Sequence, residues 1–286
     1  MNTLKTWLLM GVLTALIVVI GYAFGGEGGA MFALILAIAL NGFSYFFSDR
    51  VAISMSGAQP VSEASAPELY TTVRHLASRA GLPMPRVYVT ASPQPNAFAS
   101  GRNPKNAVIV VNQGLLNTLT ARELQGVLAH EMSHIRHRDI LIGAMAATLA
   151  GAITWIASIM RWGLLFTGFG GGRNNNWLAD LALIILAPVA AFMIQLAISR
   201  SREYKADAGA AHLTRDPDAL ADALAKLDHA PRFGRGRYRQ PQPAMAHLYI
   251  VNPLRGHRFS TLFSTHPPIE ERIRRLRLMR IDSQAQ

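Results

Sequence analysis

His130-Glu131-Met132-Ser133-His134 is the stretch from which the fold of this 286-residue chain is read. On an α-helix, residues four apart share a face, so His130 and His134 present two imidazoles one turn apart with Glu131 beside them. Two imidazoles can hold one zinc ion, and an adjacent carboxylate can take a proton from a water there. The spacing therefore implies a helix and, with it, the chemistry of a zinc hydrolase. Chance is a poor account of the pattern, since nine His and eight Glu in a chain of this length produce it in roughly one chain in a hundred. The structural alternative is a pair of core or interface histidines. Glu131 argues against it, because the carboxylate completes the His-Glu-x-x-His pattern of zinc hydrolases.

Outward from the motif, the local sequence supplies the helix. Thr120 and Glu123 have capping-box spacing, and Leu124, Val127, Leu128 and Ile135 recur at helical intervals on the side expected to be buried. Two histidines leave a catalytic zinc one protein ligand short. The best candidate for the third lies in residues 199–207, where Glu203 and Asp207 are four apart on one helical face. Glu203 is expected to bind the metal, and Asp207 to accept a hydrogen bond from a ligand imidazole and so fix its tautomer. Asp139, just past the motif, is expected to stand behind the ligands, and it is the substitute if Glu203 does not bind. The plainer alternative is a solvated helix with Arg202, Glu203, Lys205 and Asp207 as surface charges.

Composition places the chain in a membrane. Half of its residues are hydrophobic, and residues 7–24 and 31–47 are almost continuously apolar. Residues 140–160 form a third run long enough to span. The fourth, 178–198, carries Asp180, Pro188 and Gln195, as expected of a kinked span or a segment partly buried in protein. A cleaved signal peptide is the alternative for the first run, but no convincing cleavage site follows it and a second apolar run comes at once. Arg50, Arg136, Arg138, Arg200, Arg202 and Lys205 flank the motif side of these runs, which predicts a cytoplasmic catalytic side. With no cysteine, disulfides and thiolate ligands are excluded, leaving histidine and carboxylate. The net charge of +11 is scattered over membrane flanks and the stretches 232–239 and 272–280, which fits an anionic lipid surface. No nucleic-acid motif accompanies it, so nucleic acid is not an expected partner.

Between the second run and the motif, Ser65 and Glu68 are expected to cap a helix that Gly81 and Pro83 stop. Strands are expected at 86–90 and 107–111. Between them lies a small-residue stretch, Asn96-Ala97-Phe98-Ala99-Ser100, able to pair main chain to main chain with an extended peptide substrate, or simply to be an ordinary edge strand. After Asp207, Asp216-Pro217 begins a helix through Leu227, residues 231–243 form a mobile segment suited to a lid, and Pro267-Pro268 starts a basic final helix. The resulting organisation is a transmembrane hairpin (1–50), a first catalytic part with the zinc helix (51–139), two hydrophobic segments (140–198) and a second catalytic part (199–286). In fold class this is an α+β, mainly helical integral membrane protein, with a zincin-like catalytic domain, a small β-sheet and up to four transmembrane helices.

Taken together, the hairpin, Asn96-Ala97-Phe98-Ala99, the histidine motif with Asp139, two further hydrophobic segments, Ser201-Arg202-Glu203 with Asp207, and Ser264-Thr265-His266-Pro267-Pro268 resemble the HtpX family of bacterial membrane zinc metalloproteases, relatives of the CAAX prenyl endopeptidases. The likeness runs over nearly the whole chain. It implies a heat-stress-linked quality-control endopeptidase, multi-pass in the bacterial inner membrane, with its active site facing the cytoplasm. It further implies one zinc ion per chain held by His130, His134 and Glu203, Glu131 as catalytic base, and polypeptide substrates that include membrane proteins. By analogy with second-site histidines of related zinc proteases, His266 is expected to stabilise the oxyanion. Two other readings stand beside this one: a processing protease for one or a few membrane substrates, and a non-enzymatic membrane scaffold with a vestigial metal site.

Overall fold

A computed structural model describes residues 2–141, 200–229, 250 and 267–284. Helix α1 (Asn2–Ser56) is a hairpin, because its backbone leaves the helical region at Gly25 and Gly26. Gly26 has φ +57°, a left-handed value that glycine adopts without a Cβ clash. The two arms then touch closely: a Cβ on Gly21 would lie 2.5 Å from the carbonyl oxygen of Gly29. Further along, Asn41 Nδ2 donates across the hairpin to Thr14 Oγ1 at 2.9 Å. The helical stretch Gly25–Ser56 is long and apolar enough to cross a membrane, and Thr6–Val19 is a shorter apolar stretch. The runs expected at 140–160 and 178–198, apart from Ile140 and Leu141, lie outside the described residues, as does the expected lid at 231–243.

Helix α2 (Pro67–Ala80) ends at Gly81 as expected, but its start differs. The residue at its N-cap is Ala66, not Ser65, and it makes no side-chain cap. The Ser65 hydroxyl instead accepts from Ser62 N at 2.9 Å in the preceding turn. Pro67 at the first helical position fixes a helical φ and brings no orphan N–H of its own, so it marks the start in place of a side-chain cap.

The sheet holds β1 (Gln59–Pro60), β2 (Arg86–Thr90), β3 (Ala97–Ser100) and β4 (Val108–Asn112) in the order β1-β2-β4-β3. Strands β2 and β4 are parallel, and β3 runs antiparallel to β4 as an edge strand, with Ala99 opposite Ile109. The two-residue strand β1 and the six-residue helix α3 (Gln113–Thr118) were not expected, because neither is long enough to show a periodic pattern.

Helix α4 (Ala121–His137) carries the histidine motif and opens with the expected capping box of Thr120 and Glu123. Helices α5 (Arg200–Thr214), α6 (Pro217–Asp228) and α7 (Ile269–Gln284) complete the described chain, and the Asp216 side chain caps α6. Two glycines let helices meet α4 at close range. A Cβ on Gly209 of α5 would lie 2.5 Å from Ser133 Oγ, and one on Gly126 of α4 would lie 2.6 Å from the backbone of Leu220 in α6. One apolar core gathers Leu76, Ile109, Leu128, Leu224 and Leu276, so residues far apart in the chain bury one another. On the other face of the sheet, Phe98 and Val110 pack on Ala52 and Ala58 at the end of the hairpin. Ser100 Oγ donates to Ser48 O at 3.4 Å and Arg86 pairs with Asp49, so the hairpin is fastened to the sheet that carries β3.

Candidate metal centre

The capping box and the apolar stripe of α4 bury the helix against α5 and the sheet, and this places the histidines. His130 is 1% exposed and Glu131 6%. The imidazole Nε2 atoms of His130 and His134 lie 3.1 Å apart and point into the same space. Glu203 enters it from α5, with Oε2 3.6 Å from His130 Nε2 and Oε1 3.7 Å from His134 Nε2. One ligand atom from each of His130, His134 and Glu203 falls within 4.8 Å of the others, so the three can hold a metal ion.

The back of each imidazole faces a carboxylate. His130 Nδ1 lies 2.9 Å from Asp207 Oδ1, and His134 Nδ1 lies 3.3 Å from Asp139 Oδ2. Each neutral ring then carries its proton on Nδ1 and donates it to the carboxylate, leaving both Nε2 lone pairs aimed at the shared space. Three acceptors converging with no donor among them suit a cation, and the set of two imidazoles and one carboxylate is one that zinc accepts. Electrostatics agree. Burial pushes the His130 imidazole down, yet Asp207 and Glu203 outweigh it and raise its pKa to about 9.

Asp207 is held in its turn. Arg272 of α7 is fully buried and clasps Asp207 with two hydrogen bonds, Nε to Oδ2 at 2.8 Å and one terminal nitrogen to Oδ1 at 2.7 Å. Burial pushes the Asp207 carboxyl up, but the guanidinium and His130 hold it at about 2. From the sequence, Arg272 belongs only to the basic stretch 272–280 assigned to an anionic lipid surface. The structure gives it a different place, behind Asp207, and no periodicity in residues 269–284 marks that role in advance. The same segment does place Pro267 and Pro268 at the helix start as expected, whereas His266 lies outside the described residues.

Glu131 does not face the histidines' back carboxylates. Its Oε2 accepts from the amide of Ala99 on β3 at 2.9 Å. Burial raises the Glu131 carboxyl above the ordinary range, against the opposing pull of the two histidines. The expected peptide-binding stretch is thus beside the site, but one of its outward groups is already engaged. Asn112 N donates to Asn96 O at 2.9 Å, so Asn96 and Phe98 turn their main chain to β4 while Ala97 and Ala99 turn theirs to the open edge. Asn96 itself is buried. Its Oδ1 accepts from Ile250 N at 3.0 Å, and its Nδ2 has no hydrogen-bond partner among the described residues.

Comparison with known proteins bears on this arrangement. The model of peptidase family M48 matches residues 63–280, a span containing every residue named above at the site. The chain is 54% identical to a protease HtpX homolog of Pelotomaculum thermopropionicum and 53% identical to one of Syntrophotalea carbinolica. Each match covers 98% of this chain and 100% of the relative. A protease HtpX homolog of Ralstonia pickettii is 50% identical over 97% of this chain and 96% of its own. The crystal structure of S. mikatae Ste24p is also similar, at a TM-score of 0.47 and 22% identity, covering 96% of this chain and 67% of that one.

Proposed function

The chain belongs to peptidase family M48, and from that premise we propose that it is a zinc-dependent endopeptidase embedded in the bacterial inner membrane, which degrades misfolded or damaged membrane proteins on the cytoplasmic side. The observation that carries the metal assignment is the convergence of His130 Nε2, His134 Nε2 and Glu203, with Asp207 and Asp139 behind the two rings. In this reading His130, His134 and Glu203 are the ligands, and Asp207 and Asp139 orient them. Bound zinc lowers the pKa of water and polarises the scissile carbonyl.

The remaining chemistry belongs to side chains of the chain itself. Glu131 takes the proton of the attacking water and hands it to the leaving amine. Its burial beside the ligands keeps bulk water from competing for that proton. The Ala99 amide fixes one carboxylate oxygen, leaving the group little freedom to turn away. The outward main-chain groups of Ala97 and the Ala99 carbonyl offer an extended peptide a strand to pair with, and the Asn96 Nδ2 donor supplies a side-chain contact. Recognition through backbone atoms asks little of substrate sequence, which favours a quality-control role over the processing of one substrate. His266 donates to the oxyanion.

Placement in a bilayer has its own support. Among the described residues, every exposed large apolar side chain but Leu278 lies on α1, including Trp7, Val19, Phe32, Ile35, Ile38 and Phe43. Such a surface is costly in water and ordinary in lipid.

The test is cleavage of an unfolded model protein by wild type and Glu131→Gln, with zinc content measured alongside. Glu131→Gln should retain the metal and lose turnover by a factor of about 100 to 10,000, the range for removing a general base. Retained activity overturns the mechanism. A survey of the cleaved bonds then decides the role, since a sharp consensus means a processing enzyme and a diffuse one means quality control.

A further inference from the structure

The joint between the hairpin and the catalytic core encloses a cavity of about 160 Å³. Thr6 and Trp7 line it from the first arm of α1, Tyr45 from the second, Arg102 and Asn103 from the loop after β3, and Arg138 from the residue that ends α4. By the same measure a single water needs only about 10 to 15 Å³, so the space admits a group of several heavy atoms.

Its position follows from the hairpin. The Asn41 contact with Thr14 sets the two arms side by side, so Thr6, Trp7 and Tyr45 sit at the end opposite Gly25 and Gly26, next to the sheet. That is the level at which lipid headgroups would lie if the hairpin spans a bilayer, and Trp and Tyr concentrate at this level. The cavity thus rests on the membrane reading above but concerns a site outside the peptidase chemistry.

Its charge is unbalanced. Arg102 and Arg138 form no ion pair with a carboxylate among the described residues, whereas Asp49 is paired with Arg86 and Asp139 with His134. The Arg102 guanidinium lies over the Phe46 ring, 5.3 Å from its centroid, which holds it against the hairpin. Asn103 adds its Nδ2 donor, since its Oδ1 is taken by Asn106. The rest of the lining is apolar: Met10 and Trp7 continue into the exposed apolar surface of Leu4 and Leu8. Two guanidiniums with a polar rim suit a phosphate diester, and the adjoining apolar wall suits the glycerol and first methylenes of a lipid. A small soluble phosphate would use only half of this lining.

We propose that this cavity seats the headgroup of an anionic phospholipid, with Arg102 and Arg138 neutralising its phosphate. Arg102 follows β3 by two residues, and Arg138 directly precedes Asp139, the carboxylate behind His134. A bound lipid therefore bridges the ends of the two elements that carry the peptide edge and the metal motif, and makes the catalytic core sensitive to the membrane's acidic lipid content.

The full chain is reconstituted into nanodiscs of equal parts phosphatidylglycerol and phosphatidylcholine, and the lipid it retains on release is identified by native mass spectrometry. Wild type should keep phosphatidylglycerol in preference. The double variant Arg102→Gln/Arg138→Gln should lose that preference by about thirtyfold, the scale for two basic groups at an anionic surface, with its zinc content unchanged. Arg102→Lys/Arg138→Lys, which keeps the charge, should retain most of it and guards against a folding defect. Equal retention of both lipids by wild type, or an undiminished preference in the glutamine variant, overturns the proposal. So does displacement by millimolar glycerol phosphate, which would make the ligand a soluble phosphate. A chain that fails to enter the nanodisc overturns the membrane reading itself, an outcome separate from insertion without lipid preference.

Discussion

The amide of Ala99 donates to Oε2 of Glu131 at 2.9 Å, so the edge strand and the carboxylate beside the histidines share one hydrogen bond. The strand does more than wait for a peptide: it also orients the group proposed as base. A substrate pairing with β3 meets a carboxylate already fixed in direction, and the two functions cannot be altered independently at this position.

Substitution of Ala99 by proline removes that amide. If the strand served only to bind substrate, Ala99→Pro would raise KM alone. With Glu131 dependent on the amide, kcat should fall as well, by about 10- to 100-fold, the scale of losing one hydrogen bond to a charged group. Proline here breaks no bond of the β3–β4 ladder, because the Ala99 amide points away from β4, and zinc content measured on the variant checks that the site survives. Ala99→Gly, which keeps the N–H, should behave nearly as wild type. A variant with normal kcat and raised KM would detach the amide from the base.

The three carboxylates at the histidines should separate by metal affinity. Glu203→Ala removes a proposed ligand and should abolish stoichiometric zinc. Asp207→Ala and Asp139→Ala leave the ligands in place but free the rings to rotate, and each should weaken zinc by about 10- to 100-fold. Asp207 should matter more than Asp139, since its contact with the ring is shorter, 2.9 against 3.3 Å. Competition with a chelator of known affinity measures all three. Unchanged zinc in Glu203→Ala would pass the ligand role to another carboxylate.

Arg272 tests whether α7 supports the metal site at a distance. Replacing it with methionine leaves Asp207 buried without its guanidinium, and breaking a buried pair on one side costs about 3 to 5 kcal/mol. Arg272→Met should therefore lower thermal stability and also weaken zinc, because Asp207 is no longer held against His130. Arg272→Lys keeps the charge but not the paired geometry, and should recover part of both. Normal zinc affinity in a destabilised Arg272→Met protein would confine the residue to a structural role.

Much of this site is legible in the sequence because its residues are local. His130, Glu131 and His134 lie within two turns of one helix, and Glu203 and Asp207 within two turns of another, so helical spacing alone predicts which of them share a face. Thr120 and Glu123 announce the helix for the same reason. What sequence spacing cannot reveal is contact between elements far apart in the chain. The pairing of Arg272 with Asp207 and the bond from Ala99 to Glu131 depend on how α7 and β3 dock against α4, and nothing in the local pattern encodes them. Ser65 does not cap the helix because its hydroxyl is used in the turn with Ser62 and Pro67 moves the N-cap to Ala66, local competitors that helical spacing does not reveal.

The hairpin makes a prediction that depends on neither metal nor substrate. Reporter fusions placed at Gly28, beside the turn, and at Glu63, in the segment leading to α2, should report opposite compartments, with Glu63 cytoplasmic alongside the N-terminus. The basic residues flanking the motif side predict that orientation, and a helix whose histidines and Glu131 form a candidate metal site calls for water and protein around it, not lipid. Replacing Asn41 by leucine should leave this topology intact while loosening the two arms, because its hydrogen bond to Thr14 is worth only about 0.6 kcal/mol within a membrane. The same compartment for Gly28 and Glu63 would mean that α1 lies along the surface rather than across the bilayer, and its exposed Trp7, Phe32 and Ile35 would then be an interfacial face.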